Sequence, residues 1–360
     1  MTAKKRYKVL DMGRYGCATK KLALVALLAF AFSMAGCFFF ISPCIKIISF
    51  SSSKQTRIET SGSYVELVIQ INEVDKCFYT IQRNNFNFLL RKRNFDGDVI
   101  SVQSTPLFYD GYMSRHEYCL SPNGQNIAFL VRPQLNSIDL YLLNVSSGTK
   151  ILLDKNISSS PIGICFISFV SDSKIIIGID DLEAKKRARI LEIDLSSKKV
   201  TEIYNTSSLF SSNAAFSPSG KFLAFFDDEV AAICIFDIEA RNIVSKNKLS
   251  ARPIPSNICW SQDEATIGYS IGEHVYTYDT KSGFADEVIS LNARSIIYGM
   301  KFVNSSTLLC KYGESEKIGK PRPLVTINIP SKTIRKFMTT ALSGDFFIIN
   351  NGSKVIIEEY

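Results

Sequence analysis

The sequence predicts an all-β fold, a β-propeller of four-stranded blades, six or seven in number, preceded by one N-terminal transmembrane helix. Three observations predict it. A turn motif recurs with a period in the mid-forties. Each period holds four short apolar runs. One uncharged run of twenty residues stands near the N-terminus.

The repeat is clearest in residues 213–249, NAAFSPSGKFLAFFDDEVAAICIFDIEARNIVSKNKL. Apolar residues lead into a Ser217-Pro218-Ser219-Gly220 turn, where Pro fixes φ and Gly lets the chain leave without a clash. Apolar runs follow at Phe222 to Phe226 and at Val230 to Phe236, the latter ending on Asp237, and a weaker run covers Asn242 to Lys248. Equivalent turns begin at Asn72, Ser121, Ser171, Ser217, Ser261, Asn304 and Asn350, in steps of 49, 50, 46, 44, 43 and 46 residues. The residue before each turn is apolar: Ile71, Leu120, Val170, Phe216, Trp260, Val303 and Ile349. Past the turn, four units read apolar-small-apolar: Ile127-Ala128-Phe129, Ile177-Gly178-Ile179, Leu223-Ala224-Phe225 and Ile267-Gly268-Tyr269. Further on, six units carry an Asp or Asn: Asn94, Asn144, Asp194, Asp237, Asp279 and Asn328.

One such sheet has two apolar faces and cannot bury either alone. Ring closure buries each blade against two neighbours and leaves only short edges. Units such as SPSGKFLAFF and SPNGQNIAFL resemble the repeats of TolB-like and WD40-like propellers, whose blades carry an S-P-D-G-K-x-I-A-F type of hairpin. The resemblance covers residues 64–360 and implies a fold rather than an activity. The chain departs from WD40 proper in having Trp260 as its only Trp and no Trp-Asp dipeptide. Seven turns are present, but the last has two strands before Tyr360. A six-bladed ring needs the hairpin at Asn72 outside the ring or shared. A seven-bladed ring, the favoured count, needs the segment before Tyr64 to lend a strand to the last blade.

The domain organisation follows from charge. The chain carries a net +8, of which residues 1–21 hold +6, leaving +2 for the other 339 residues. The body is therefore not basic, and pI gives no support to nucleic-acid binding. Residues 1–21 are expected to be a cytoplasmic basic segment, 22–42 a transmembrane signal-anchor helix, 43–63 a stalk with at most one strand, and 64–360 the propeller. The uncharged run LALVALLAFAFSMAGCFFFI rises about 30 Å as a helix, enough to cross the hydrocarbon core. The cations before it place the repeats outside the cytoplasm, on the periplasmic side if the cell is Gram-negative. Two other readings of this leader stay open. Met34-Ala35-Gly36-Cys37 resembles a lipobox, which would make Cys37 a lipidated N-terminus, and Ser33-Met34-Ala35 could be an ordinary signal-peptidase site.

Chemistry-bearing motifs are few. The nine Cys show no C-x-x-C and no metal spacing, so they read as small buried strand residues, and no metal or cofactor is expected. The two His, His116 and His274, fall in different units. No G-x-S-x-G elbow, P-loop, Rossmann fingerprint or H-E-x-x-H occurs. Function on a rigid scaffold concentrates in loops. In a blade, the loops between second and third strands share a face with the links between blades. On that face the loops supply carboxylates at Asp180, Asp181, Asp227 and Asp228, with His274 beside Glu273. The links supply Tyr109, Asp110, Tyr112, Arg115, His116, Arg252 and Arg294. Tyr, Arg and carboxylates together suit a protein or glycan partner. The expected role is a membrane-tethered, extracytoplasmic interaction scaffold of the cell envelope, held in the membrane by residues 22–42. A glycan or small-ligand sensing module is the first alternative. A propeller enzyme of the lactonase or glycan lyase or hydrolase type is the second.

Overall fold

The computed structural model describes residues 44–50, 55–59, 66–72, 75–83, 87–106, 118–134, 137–158, 163–180, 188–206, 210, 214–249, 255–292, 294–314, 322–340, 345–349 and 352–359. They form seven separate four-stranded antiparallel sheets, and no helix occurs among them. The chain is a seven-bladed β-propeller. The segments expected as cytoplasmic (1–21) and transmembrane (22–42) lie outside the described residues, as does Cys37.

Six blades are built from consecutive strands. Blade one is Glu66–Asn72, Cys77–Arg83, Asn87–Asn94 and Val99–Pro106. Blade two is Tyr118–Leu120, Asn126–Gln134, Ser137–Asn144 and Lys150–Ser158. Blade three is Gly163–Ser171, Lys174–Asp180, Ala188–Asp194 and Lys199–Thr206. Blade four is Ala215–Phe216, Phe222–Asp227, Ala232–Asp237 and Asn242–Lys248. Blade five is Ser256–Trp260, Thr266–Ile271, His274–Asp279 and Ala285–Ser290. Blade six is Ser295–Asn304, Thr307–Glu314, Arg322–Asn328 and Thr333–Thr340. First strands of successive blades touch one another in five of the junctions, which places them at the centre of the ring.

Blade seven joins the two ends of the repeat region. Its first and second strands are Phe346–Ile349 and Lys354–Glu359; its third and fourth are Cys44–Ser49 and Gln55–Glu59. Cys44 to Ser49 pairs with Glu359 to Lys354 over six consecutive positions. The segment expected as a stalk thus lends two strands rather than one, and the ring begins at Cys44, not Tyr64. Single-sequence reading misses this because a strand flanked by Ser-rich segments looks like a linker until its partner, some 310 positions away, is known.

The core sits between blades, not within them. Seven apolar clusters occupy the seven junctions. One to two is filled by Tyr79, Leu120 and Phe129, two to three by Leu140, Ile167 and Ile177, three to four by Phe166, Phe210 and Phe225. Four to five holds Phe226, Trp260 and Tyr269, five to six Cys259, Val288 and Leu308, six to seven Leu309, Phe346 and Val355. Ile47, Phe78, Phe95 and Ile356 close the circle between seven and one. Each fully buried side chain of this size stabilises by about 1.5–3 kcal/mol, so these junctions outweigh the turns. The apolar-small-apolar pattern has a packing cause. A Cβ on Gly178 would stand 2.2 Å from the Phe166 ring, and one on Gly268 3.1 Å from Phe302.

The recurrent Asp and Asn positions are turn formers. All six close the hairpin between third and fourth strands by accepting backbone N–H bonds at their Oδ1. The donors include Asp98 for Asn94, Ser147 for Asn144, Ser197 for Asp194, Ala240 for Asp237, Ser282 for Asp279 and Ser331 for Asn328. Ser121, Ser217 and Ser261 do the equivalent for the first hairpin. Each Oγ accepts the N–H of the residue five places on, at 2.9, 3.1 and 2.9 Å.

Candidate functional site

The ring presents two faces. The turn face carries the hairpin turns of each blade, between first and second and between third and fourth strands. The link face carries the loops between second and third strands and the links between blades.

Five of the expected site residues are described, standing on blades three, four and five and on the link into blade six. Asp180 ends the second strand of blade three and is buried. Its Oδ1 accepts the Phe210 N–H at 2.9 Å, tying down the link into blade four. Asp227 ends the corresponding strand of blade four and is also buried. Its Oδ1 accepts the N–H groups of Glu229 and Val230 at 3.1 and 3.4 Å and so shapes its own loop. These two carboxylates therefore hold structure, whereas Asp228 is exposed. Arg294 is exposed in the link into blade six and adopts a left-handed φ of 72°. The remaining expected residues, Tyr109, Asp110, Tyr112, Arg115, His116, Asp181 and Arg252, lie outside the described residues.

His274 opens the third strand of blade five. Its Nδ1 lies 2.9 Å from Glu287 Oε1 on the fourth strand, and its Nε2 3.9 Å from Glu273 Oε1. The Tyr276 hydroxyl donates to Glu287 Oε2 at 3.4 Å. The sequence alone places Glu273 beside His274; it does not bring in Glu287 or Tyr276. Alternation puts Tyr276 on the His274 side of its strand, but the pairing that brings Glu287 across contains a one-residue bulge.

A hollow of about 340 Å³ opens on the turn face, across blades five, six and seven. Gln262, Asp263, Asn304 and Ser305 supply its polar lining, with Phe302 and Ile348 below. Asp263 accepts from the Ser261 hydroxyl at 2.7 Å and from the Ala265 N–H at 3.1 Å. Those bonds hold its carboxyl below the usual range. Sequence reading does not reveal the hollow, because three turns some 45 residues apart make it together.

The five described thiols follow the sequence reading. Cys77, Cys234, Cys259 and Cys310 are buried and free, and Cys119 is half-buried and free. Burial pushes Cys234, Cys259 and Cys310 up to about 12, so their thiolates are scarce at neutral pH. Among the described residues, no group of three or more His, Cys, Asp and Glu is placed to hold a metal ion. None of their elements is a helix long and apolar enough to cross a membrane.

No family model matches the sequence, and no curated protein is similar to it. Solved structures are. Oligogalacturonate lyase from Vibrio parahaemolyticus shares 12% identity over 89% of this chain and 97% of its own, with a TM-score of 0.58. An oligogalacturonate lyase in complex with manganese also shares 12% identity, over 86% of this chain and 88% of its own, with a TM-score of 0.58. TolB from Acinetobacter baumannii shares 14% identity over 95% of this chain and 70% of its own, at a TM-score of 0.45. At such identities the likeness is one of fold.

Proposed function

We propose that this chain is a membrane-tethered, extracytoplasmic propeller that serves as a protein-interaction scaffold in the cell envelope. The observation that supports it most is the junction between leader and ring. Cys44, three residues after the uncharged run ends at Ile41, is already paired on both sides, with Glu59 and with Glu359. The uncharged run is joined to the first strand of a closed ring through Ser42 and Pro43 alone. The cationic residues ahead of it favour the orientation with the ring outside. Expression of the full chain, followed by alkaline washing of membranes and protease treatment of sealed cells and spheroplasts, tests the tether. The ring should stay with the membrane and be cleaved only from outside. Release by the wash, or protection from external protease in spheroplasts, would refute it.

The scaffold role is tested by crosslinking in intact cells. Asp228→Lys is the informative charge reversal on the link face, since Asp227 holds its own loop together. A second reading, an enzyme acting on glycans, draws on the shared fold with the oligogalacturonate lyases. Turnover of oligogalacturonate with added manganese, abolished by His116→Ala or His274→Ala, would establish it. No turnover is expected.

A further inference from the structure

The outer strands of the seven blades are not alike. In blades two to seven each carries at least one charged residue, among them Asp154, Glu202, Lys246, Asp286, Lys336 and Arg57. The outer strand of blade one, Val99–Pro106, reads VISVQSTP and carries none. Charge on an edge strand guards it against pairing with another chain. Here that guard is missing, and Val99, Ile100 and Val102 stand 46, 57 and 53% exposed. Ser101, Gln103 and Ser104 are exposed as well. Among the described residues no strand pairs with the outer side of this one.

The second guard, the bulge, is displaced to one end. It falls at Ile100, and beyond it the six residues from Ser101 to Pro106 pair with Lys92 to Asn87 without a shift. In the outer strands of blades two to six the longest unshifted run is four. Blade seven has an unshifted run of five, but Arg57 stands in it.

Register tells which backbone groups are on offer. The Asn94 N–H donates to the Asp98 carbonyl at 3.0 Å, so that pair is bonded, and the next, Arg93 opposite Val99, is not. Lys92, the following bonded position, faces the bulge and Ser101. Alternation from there turns the N–H and C=O groups of Ser101, Gln103 and Thr105 inward, and those of Val102 and Ser104 outward. Pro106 fits this phase, since it has no N–H to donate and falls on the outward side.

Charge then selects the occupant. Two copies of an uncharged strand can lie antiparallel with no like charges meeting, whereas the blade-four strand would bring Lys246 and Lys248 against their own copies. We infer that Val99–Pro106 is a self-pairing edge, and that its occupant is the same strand of a second copy of this chain. A two-fold axis at Gln103 sets Val102 of each copy opposite Ser104 of the other. Each such pair exchanges its outward N–H and C=O groups, and the two blades become one continuous sheet. Self-pairing needs neither the leader nor an envelope partner.

The test is the oligomeric state of the full chain in detergent micelles, followed by sedimentation over a range of concentrations. A reversible dimer is expected. Val102→Lys should weaken it by about tenfold or more, because the two ammonium groups come to lie diagonally across the join. Val244→Lys, at a site 51% exposed on the outer strand of blade four, should leave it unchanged. Gln103 faces its own copy across the axis at a non-bonded position, where Cα atoms lie about 4.5 Å apart. Gln103→Cys treated with diamide should therefore give a disulfide-linked dimer that the unaltered chain and Val244→Cys do not. A monomer at every concentration, a dimer indifferent to Val102→Lys, or a Gln103→Cys chain that does not crosslink would overturn the self-pairing edge.

Discussion

Blades one to six and blade seven reach the same four-stranded sheet by different means. Each of the first six is a run of consecutive strands, closed between third and fourth by an Asn or Asp turn. Each also carries an extra residue in its outer strand a few places after the turn, and that residue is always apolar: Ile100, Leu153, Ile203, Val244, Val288 and Phe337; blade two has a second shift, between Asp154 and Ser158. Such bulges twist the edge and discourage pairing with another chain. Blade seven has no bulge between its third and fourth strands. No turn links its second and third strands, which come from opposite ends of the repeat region. Local chemistry fixes register in six blades. In the seventh, the pairing of second with third strand is set by buried contacts and by the Phe50 N–H bond to the Ser353 carbonyl.

That contrast can be broken at several levels. Deleting Lys354–Glu359 should have the largest effect, because the strands on either side of it, Phe346–Ile349 and Cys44–Ser49, lose their common partner. The cooperative unfolding transition should vanish in denaturant titrations; a chain that still unfolds in one sharp step would show that closure is dispensable. Next come cavities. Ile356→Ala and Ile176→Ala each remove a side chain with 0% exposure, and such changes cost about 2–5 kcal/mol. Ile356→Ala is expected at the upper end, since its strand has no turn to hold it beside Ile47. A smaller loss than for Ile176→Ala would reverse the comparison.

Gly178→Ala should cost about 1–3 kcal/mol by crowding the Phe166 ring, and adding Phe166→Leu should recover part of it. Lys354→Met removes the bonds to Asp96 and to the Phe95 carbonyl. The Asp96 side chain is 74% exposed, which limits the loss to about 1 kcal/mol, smaller still in high salt.

The smallest effect is in acid. Hydrogen bonds from Ser196 and Ser197 hold Asp194 down to about 2, below the ordinary Asp value near 3.9. The folded value lies below the unfolded one. Its contribution is therefore complete above about pH 4 and fades as pH falls toward about 2. Asn144 and Asn328 make the same turn without titrating. Asp194→Asn should therefore leave neutral stability nearly unchanged and flatten the acid limb of a stability–pH curve. An unaltered limb would acquit this turn.

The fold is largely legible in the sequence because its determinants are local. The Ser-Pro-Ser-Gly turn, the apolar residue before it and the Asp or Asn before the last strand each act within a few residues, and each repeats. Ala128, Gly178, Ala224 and Gly268 announce a tight place without saying what fills it; Phe166 and Phe302 answer for the two glycines. What stays hidden depends on distant pairs. Nothing near Cys44 in sequence names Glu359. The hollow is assembled from three turns, and the roles of Asp180 and Asp227 as loop ties depend on the backbone groups that reach them. An acidic loop residue looks the same whether it meets solvent or an N–H.

The union of the first-made strand with the last has a consequence in time. Cys44–Ser49 leaves the ribosome early and must wait for Lys354–Glu359 before its inner edge is covered. At about 5–20 residues per second, that wait is roughly 15–60 s. Throughout it, six blades can assemble in sequence while the circle stays open, with an apolar edge on offer to any neighbouring nascent chain. Birth of this protein should accordingly be sensitive to crowding of polysomes and to pauses late in its message, and a chaperone that shields the waiting edge would raise its yield.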